Sequence, residues 1–245
     1  MTALGVGLAA LGTALATGLG ALPFVGRAGR VSTAWLGAAD AVAAGVMLAA
    51  SLSLLLEGIE PGAARTAVGA AAGAAFVGVA RRLLAGRSAV SFGVLQGASA
   101  RRGILLVAVM TVHSFAEGAG IGAAFGGGKE FGVVVTVAIA IHNIPEGLAI
   151  SLVLVPHGAS VRAAAGWSIV SSLPQPLVAV PAFLFVATFT AMLPAALGFA
   201  AGAMAWIAVR DLVPDALAHA PRRTVALDAT AAFAAMLAFQ LLLFA

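Results

Sequence analysis

The chain has 245 residues, 62% of them hydrophobic and 9% charged, with a mean hydropathy of +1.10. A soluble domain carries about 25% charged residues, so this chain lacks the polar shell that water demands, and we expect an integral membrane protein. With no cysteine, disulfides, thiolate metal sites and cysteine catalysis are excluded, and a net charge of +4 spread through short loops gives no reason to expect a nucleic-acid partner.

Helices are expected, not a barrel, because almost no segment alternates apolar and polar residues. A helical span needs about 20 apolar residues. Charged and turn-rich breaks divide the chain into eight such segments, at 2–26, 33–56, 63–85, 103–126, 131–155, 160–187, 193–213 and 224–244. The first has no basic stretch ahead of it, so it reads as a span and not as a cleaved signal. Arg27 and Arg30 follow it. Glu57 to Pro61 end the second, and a loop over 86–102 follows the third. Gly126-Gly127-Gly128-Lys129-Glu130 separates the fourth from the fifth, and Pro156 with His157 ends the fifth. The break between the sixth and seventh carries no charge and rests on Thr188, Thr190 and Pro194. Pro221 to Arg223 precede the last. Trp35 and Trp167 lie near segment starts, as interfacial aromatics do.

Of the 13 Lys and Arg residues, all but Arg65 and Lys129 fall in the odd-numbered loops. The positive-inside rule puts those loops, including 86–102, in the cytoplasm and both termini outside. Two sequence repeats recur in segments that cross in opposite directions. Ala43-Ala44-Gly45-Val46-Met47 matches Ala200-Ala201-Gly202-Ala203-Met204, and His113-Ser114-Phe115-Ala116-Glu117-Gly118 matches His142-Asn143-Ile144-Pro145-Glu146-Gly147. That is the pattern of an inverted-topology repeat.

The second repeat carries the chemistry. His113 and Glu117 are four residues apart, as are His142 and Glu146, so each pair shares one helix face. Each lies about 15 Å into its segment, near the middle of a hydrocarbon core about 30 Å thick. An ionisable residue at that depth is costly and marks function. Two imidazoles and two carboxylates around one point suit a divalent transition metal. Pro145 frees the carbonyl of Ile141, and Ser114 and Asn143 add neutral oxygens beside the histidines. The zinc-protease arrangement His-Glu-x-x-His is absent. Met47 is a soft thioether deep in the second segment. Asp40, Asp211 and Asp215 lie toward cytoplasmic helix ends, either guiding a cation to the cytoplasmic exit or pairing as end-of-helix charges with Arg210. His157 and His219 read as solvated loop residues.

The two His-x-x-x-Glu motifs resemble the fourth- and fifth-helix motifs of the ZIP (Zrt/Irt-like) metal transporters. The run at 43–51 and Ser171-Ser172-Leu173-Pro174-Gln175-Pro176 resemble its bacterial GufA-type branch. The resemblance spans all eight segments in order. It implies an all-α fold of eight transmembrane helices in a 3+2+3 inverted-repeat arrangement, forming a single transmembrane domain over 1–245. It implies import of zinc or a related ion (Fe2+, Mn2+, Co2+ or Cd2+) through a bacterial-type inner membrane. It also implies a primary metal site of Met47, His113, Glu117, His142 and Glu146, with Ser114, Asn143 and Gln175 at a neighbouring second site. In similar proteins the position of Ser114 is often Asn, that of Asn143 can be Asp and that of Gln175 is often Glu, so the neutral residues here argue against a tight second metal. Arg210 stands where relatives often have an acid. No cofactor beyond the transported ion is expected, and the partners are that ion and the bilayer. The oligomeric state is open, a homodimer included. The rival reading is an intramembrane metal-dependent hydrolase, in which an open metal position would activate water.

Overall fold

A computed structural model describes residues 1–26, 32–85 and 91–244. Arg27, Arg30, Arg87 and the 86–90 part of the expected cytoplasmic loop lie outside the described residues. Helix α1 (Ala3–Thr17) is capped by Thr2, whose hydroxyl accepts the Gly5 N–H, and passes into a 3-10 turn, Gly18–Phe24. Helix α2 runs Thr33–Ala85. A short hairpin, β1 (Ser91–Phe92) with β2 (Leu95–Gln96), precedes α3 (Gly97–Gly127) and α4 (Lys129–Leu154). Then come α5 (Val161–Ser172), α6 (Pro174–Leu184) and α7 (Val186–Ile207). A π turn (Ala208–Leu212), α8 (Val213–His219) and α9 (Arg222–Phe244) complete the chain. Among the described residues, seven helical stretches are long and apolar enough to cross a membrane, α2 counting as one.

Helix α2 is not one straight rod. Its 53 residues would extend about 80 Å at 1.5 Å each, far more than a bilayer's hydrocarbon core. The helix breaks at Gly62 (φ 176°, ψ 72°), directly after Pro61, which has no N–H and clashes with the turn before it. The chain doubles back there, so that a Cβ on Gly58 would strike the side chain of Thr66. Arg65 holds the bend, donating to the carbonyls of Pro61 (3.3 Å) and Ala191 (2.6 Å). Gly128, at φ +153°, makes the other sharp turn and sends α4 back along α3.

Elsewhere the observed breaks depart from the expected ones. Helix α3 begins at Gly97, six residues earlier than the charge pattern suggests, because Arg101 and Arg102 lie within its first turns. The sixth segment is two helices, parted at Leu173 with Pro174 opening the second. The uncharged break comes at Phe185, and Thr188, Thr190 and Pro194 all lie inside α7.

Close packing is achieved by glycine. The second half of α2 and helix α7 each place two glycines four apart at their contact. A Cβ on Gly69 or Gly73 would enter the carbonyls of Ala195 and Phe199; one on Gly198 or Gly202 would enter those of Thr66 and Ala70. Helices with no hydrophobic drive to separate from lipid associate through such small-residue contacts. In the other copy of the Ala-Ala-Gly repeat, Gly45 meets the backbone of Ala229 on α9. Met47 and Met204, which end the two copies, are both fully buried in the largest apolar cluster, with Met110 and Ile150. Leu4, Leu8 and Leu15 of α1 and Leu227, Leu241 and Leu242 of α9 point outward, where lipid would meet them.

Candidate metal centre

Helices α3 and α4 lie side by side because Gly128 joins them with a single-residue turn. His142 is at the midpoint of α4, thirteen residues from Lys129 and twelve from Leu154. The i,i+4 spacing then presents His113 and Glu117 from α3, and His142 and Glu146 from α4, to one point between them. One ligand atom from each of these four lies within 4.8 Å of the others. All four are buried, with Glu146 fully covered and His142 only 7% exposed. The two imidazoles meet edge to face, ring centres 5.9 Å apart.

The polar atoms converge without satisfying one another. His113 Nε2 approaches Glu146 Oε1 to 2.9 Å and Glu117 Oε1 to 3.5 Å, while His142 lies 3.8 Å from each carboxylate. None of these contacts has hydrogen-bond geometry, and His113 Nε2, His142 Nε2, Glu117 Oε1 and both Glu146 oxygens are buried without a hydrogen-bond partner. Buried polar groups are ordinarily paired, so such a cluster calls for a ligand. A tetrahedral ion with bonds of 2.0–2.2 Å needs donor atoms about 3.4 Å apart; His113 Nε2 lies 2.9 and 3.5 Å from the two carboxylates, and one donor atom from each of the four residues falls within 4.8 Å of the others, so small side-chain shifts would seat an ion. Two carboxylates with neutral imidazoles carry a charge of −2, matched by one divalent cation.

The glycine that follows each glutamate in the motifs is a packing site. A Cβ on Gly118 would collide with the backbone of Gln175 on α6, and one on Gly147 with the carbonyl of Thr17 on α1. Gly118 thereby lets Gln175 come against Glu117, to which its Nε2 donates at 2.5 Å. Gln175 Oε1 accepts from Thr13 Oγ1 (2.5 Å) and Asn143 Nδ2 (3.1 Å), and the same Asn143 nitrogen also reaches the Thr13 carbonyl (2.8 Å). Thr17 and Ser172 are joined at 2.8 Å one turn away.

Of the expected second-site residues, Asn143 and Gln175 meet in this network. Ser114 is fully buried, and its hydroxyl has no hydrogen-bond partner among the described residues. Met47 packs in the central apolar cluster. Thr13 and Thr17 carried no signal in the sequence, because lone hydroxyls on an apolar helix commonly bond back to their own turn; the single proton of Thr13 is shared between the Ala10 carbonyl and Gln175 Oε1.

The aspartates do not pair with Arg210. Asp211 pairs with Arg81 at 2.5 Å and Asp215 with Arg102, each across the bundle. Arg210 instead places its guanidinium over the ring of Trp206, 5.9 Å from the centroid. Asp40 is buried. His157 and His219 are exposed, each with ring Nδ1 against the carbonyl one turn earlier.

Comparison with known proteins bears on this geometry. A family model described as ZIP zinc transporter matches residues 93–243, from the hairpin through α9. Over 234 residues the chain is 47% identical to an Arabidopsis thaliana protein that bears the provisional name of a zinc transporter, covering 94% of this chain and 38% of that protein. It is 31% identical over 113 residues to zinc transporter GufA of Myxococcus xanthus (46% of this chain, 44% of that protein). It is 33% identical over 148 residues to zinc transporter ZupT of Corynebacterium glutamicum (47% and 55%). The matches thus span about two fifths to just over half of the lengths of these relatives.

Proposed function

The chain belongs to the ZIP zinc transporter family, and from that premise we propose that it carries divalent transition-metal ions, zinc foremost, across a membrane into the cytoplasm. The observation that carries the reading is the convergence of two His-x-x-x-Glu pairs on one buried point at mid-helix. A cation entering there exchanges its water for His113, Glu117, His142 and Glu146, whose unpaired polar atoms offset the loss of hydration. Imidazole with carboxylate accommodates zinc and also Fe2+, Mn2+, Co2+ and Cd2+. Met47 joins the ligand set on the strength of the resemblance. Passage inward follows from alternating access, one helix group rocking against another around the midplane site.

The same proposal includes eight crossings in a 3+2+3 arrangement, forming one transmembrane domain. The reversal of α2 at Gly62 supports it, dividing that helix into two spans. So does the matching backbone contact of Gly45 and Gly202 in the two Ala-Ala-Gly copies. The arginine bias orients the odd loops inward and the termini outward, in a bacterial-type inner membrane. The hydrolase alternative draws no support from the comparisons, since the family and the matched relatives are named as transporters.

Uptake by proteoliposomes tests the reading. Purified protein in sealed vesicles should accumulate zinc, and others of Fe2+, Mn2+, Co2+ and Cd2+ to differing extents, with no lipid or peptide substrate supplied. Failure to accumulate any of these ions, with metal-dependent cleavage of a lipid or peptide, would install the hydrolase instead.

A further inference from the structure

At the arginine-rich end of the bundle lies a cavity of about 410 Å3, lined by Arg81, Arg101, Arg102 and Arg210 together with Asp211 and Asp215. Arg81 and Arg102 hold the aspartates, one each. Its floor is apolar, formed by Leu106, Val153 and Ile207. A second cavity of about 400 Å3 adjoins it, sharing Arg81 and Arg210. This one runs along Gly78, Val79 and Trp206, with Arg82 at its edge. Val79 is 53% exposed, so the groove opens on the outward flank of the helices. Arg82 and Arg210 make no ion pair among the described residues.

We infer that the two cavities together bind an anionic phospholipid, its phosphate among the arginines and an acyl chain along the Gly78–Trp206 groove. A guanidinium presents a planar fork of donors that fits phosphate oxygens. Basic pockets between transmembrane helices suit anionic headgroups in particular. The apolar groove continuous with the basic cavity favours a lipid over free phosphate, which would leave that groove unused. Arg81 and Arg102 are fixed by their aspartates and shape the pocket. Arg210 and Arg82, exposed and free of acidic partners among the described residues, supply the net attraction. The inference is independent of the transported ion, since none of these side chains belongs to the His/Glu cluster.

Native mass spectrometry of the purified chain tests it, with phosphatidylglycerol, phosphatidylcholine and inorganic phosphate offered in separate arms. Wild type should retain phosphatidylglycerol in preference to phosphatidylcholine and should hold phosphate alone weakly. Arg210→Gln should weaken phosphatidylglycerol retention about fivefold, and adding Arg82→Gln should weaken it by a similar factor again. Both residues are exposed, so these changes spare the core, and Arg222→Gln, outside both cavities, should change nothing. Equal retention of the two lipids, or unchanged retention in the double variant, would overturn the site. Phosphate bound as tightly as phosphatidylglycerol would overturn the lipid assignment.

Discussion

His142→Ala or Glu146→Ala should abolish metal uptake while the protein still reaches the membrane. The four side chains act as a unit, because each carboxylate lies within 4 Å of both imidazoles. Removing the glutamate leaves the ion's charge half-matched and removing the histidine strips it of a donor, and breaking a buried charged cluster in this way has an effect of about 3–5 kcal/mol. If that loss falls on the bound ion, affinity drops by a factor of at least about a hundred. The backbone is insulated from the change, since α3 and α4 are held by Gly128 and by the glycine contacts at Gly118 and Gly147. Zinc uptake measured beside the amount of protein in the membrane fraction decides the matter. Near-normal uptake in both variants would remove the cluster from the account.

Gln175→Glu should raise the number of tightly held metal ions from one to two. Two adjacent divalent ions repel, and only carboxylates between or beside them offset that in a low-dielectric site. In the wild type, the side of Glu117 away from the histidines is taken up by the Gln175 amide, which Thr13 and Asn143 hold in place. That NH2 group supplies a hydrogen bond where a second cation would supply charge. A glutamate at 175 would set a carboxylate against Glu117 at the same short separation, which requires a proton or a cation between them. Thr13 and Asn143 can still donate to one of its oxygens. A metal count on purified protein at limiting free zinc should give one tightly held ion in the wild type and two in Gln175→Glu. Two in the wild type would show that neutral oxygens and shared carboxylates suffice, and one in both would show that the amide is not what excludes the second ion.

What the sequence disclosed and what it hid follow from the range of the interactions. The His/Glu cluster was legible because its signal is local: two i,i+4 pairs of residues that are scarce in apolar helices, joined by a glycine turn. The network behind it was not, since Thr13 and Gln175 are 162 residues apart and neither stands out on its own helix. Arg81–Asp211 and Arg102–Asp215 were hidden for the same reason, and proximity in sequence drew Arg210 into a pairing it does not make. The Phe185 break has neither charge nor glycine to mark it, whereas Pro194, which looked like a break, is accommodated within α7. The facing Gly69/Gly73 and Gly198/Gly202 pairs do have the small-xxx-small form, but among 30 glycines that pattern does not identify its partner.

The central claim is that the metal rests on His113, Glu117, His142 and Glu146. X-ray absorption at the zinc edge, on purified protein loaded with one equivalent of zinc, measures that shell directly. The account predicts nitrogen and oxygen donors at about 2.0–2.2 Å with the outer-shell scattering of two imidazoles, reduced to one in His142→Ala. A sulfur scatterer beside them would be the thioether of Met47, which the resemblance includes in the set. A shell of oxygens with no imidazole scattering, unchanged in His142→Ala, would place the ion elsewhere and contradict the account.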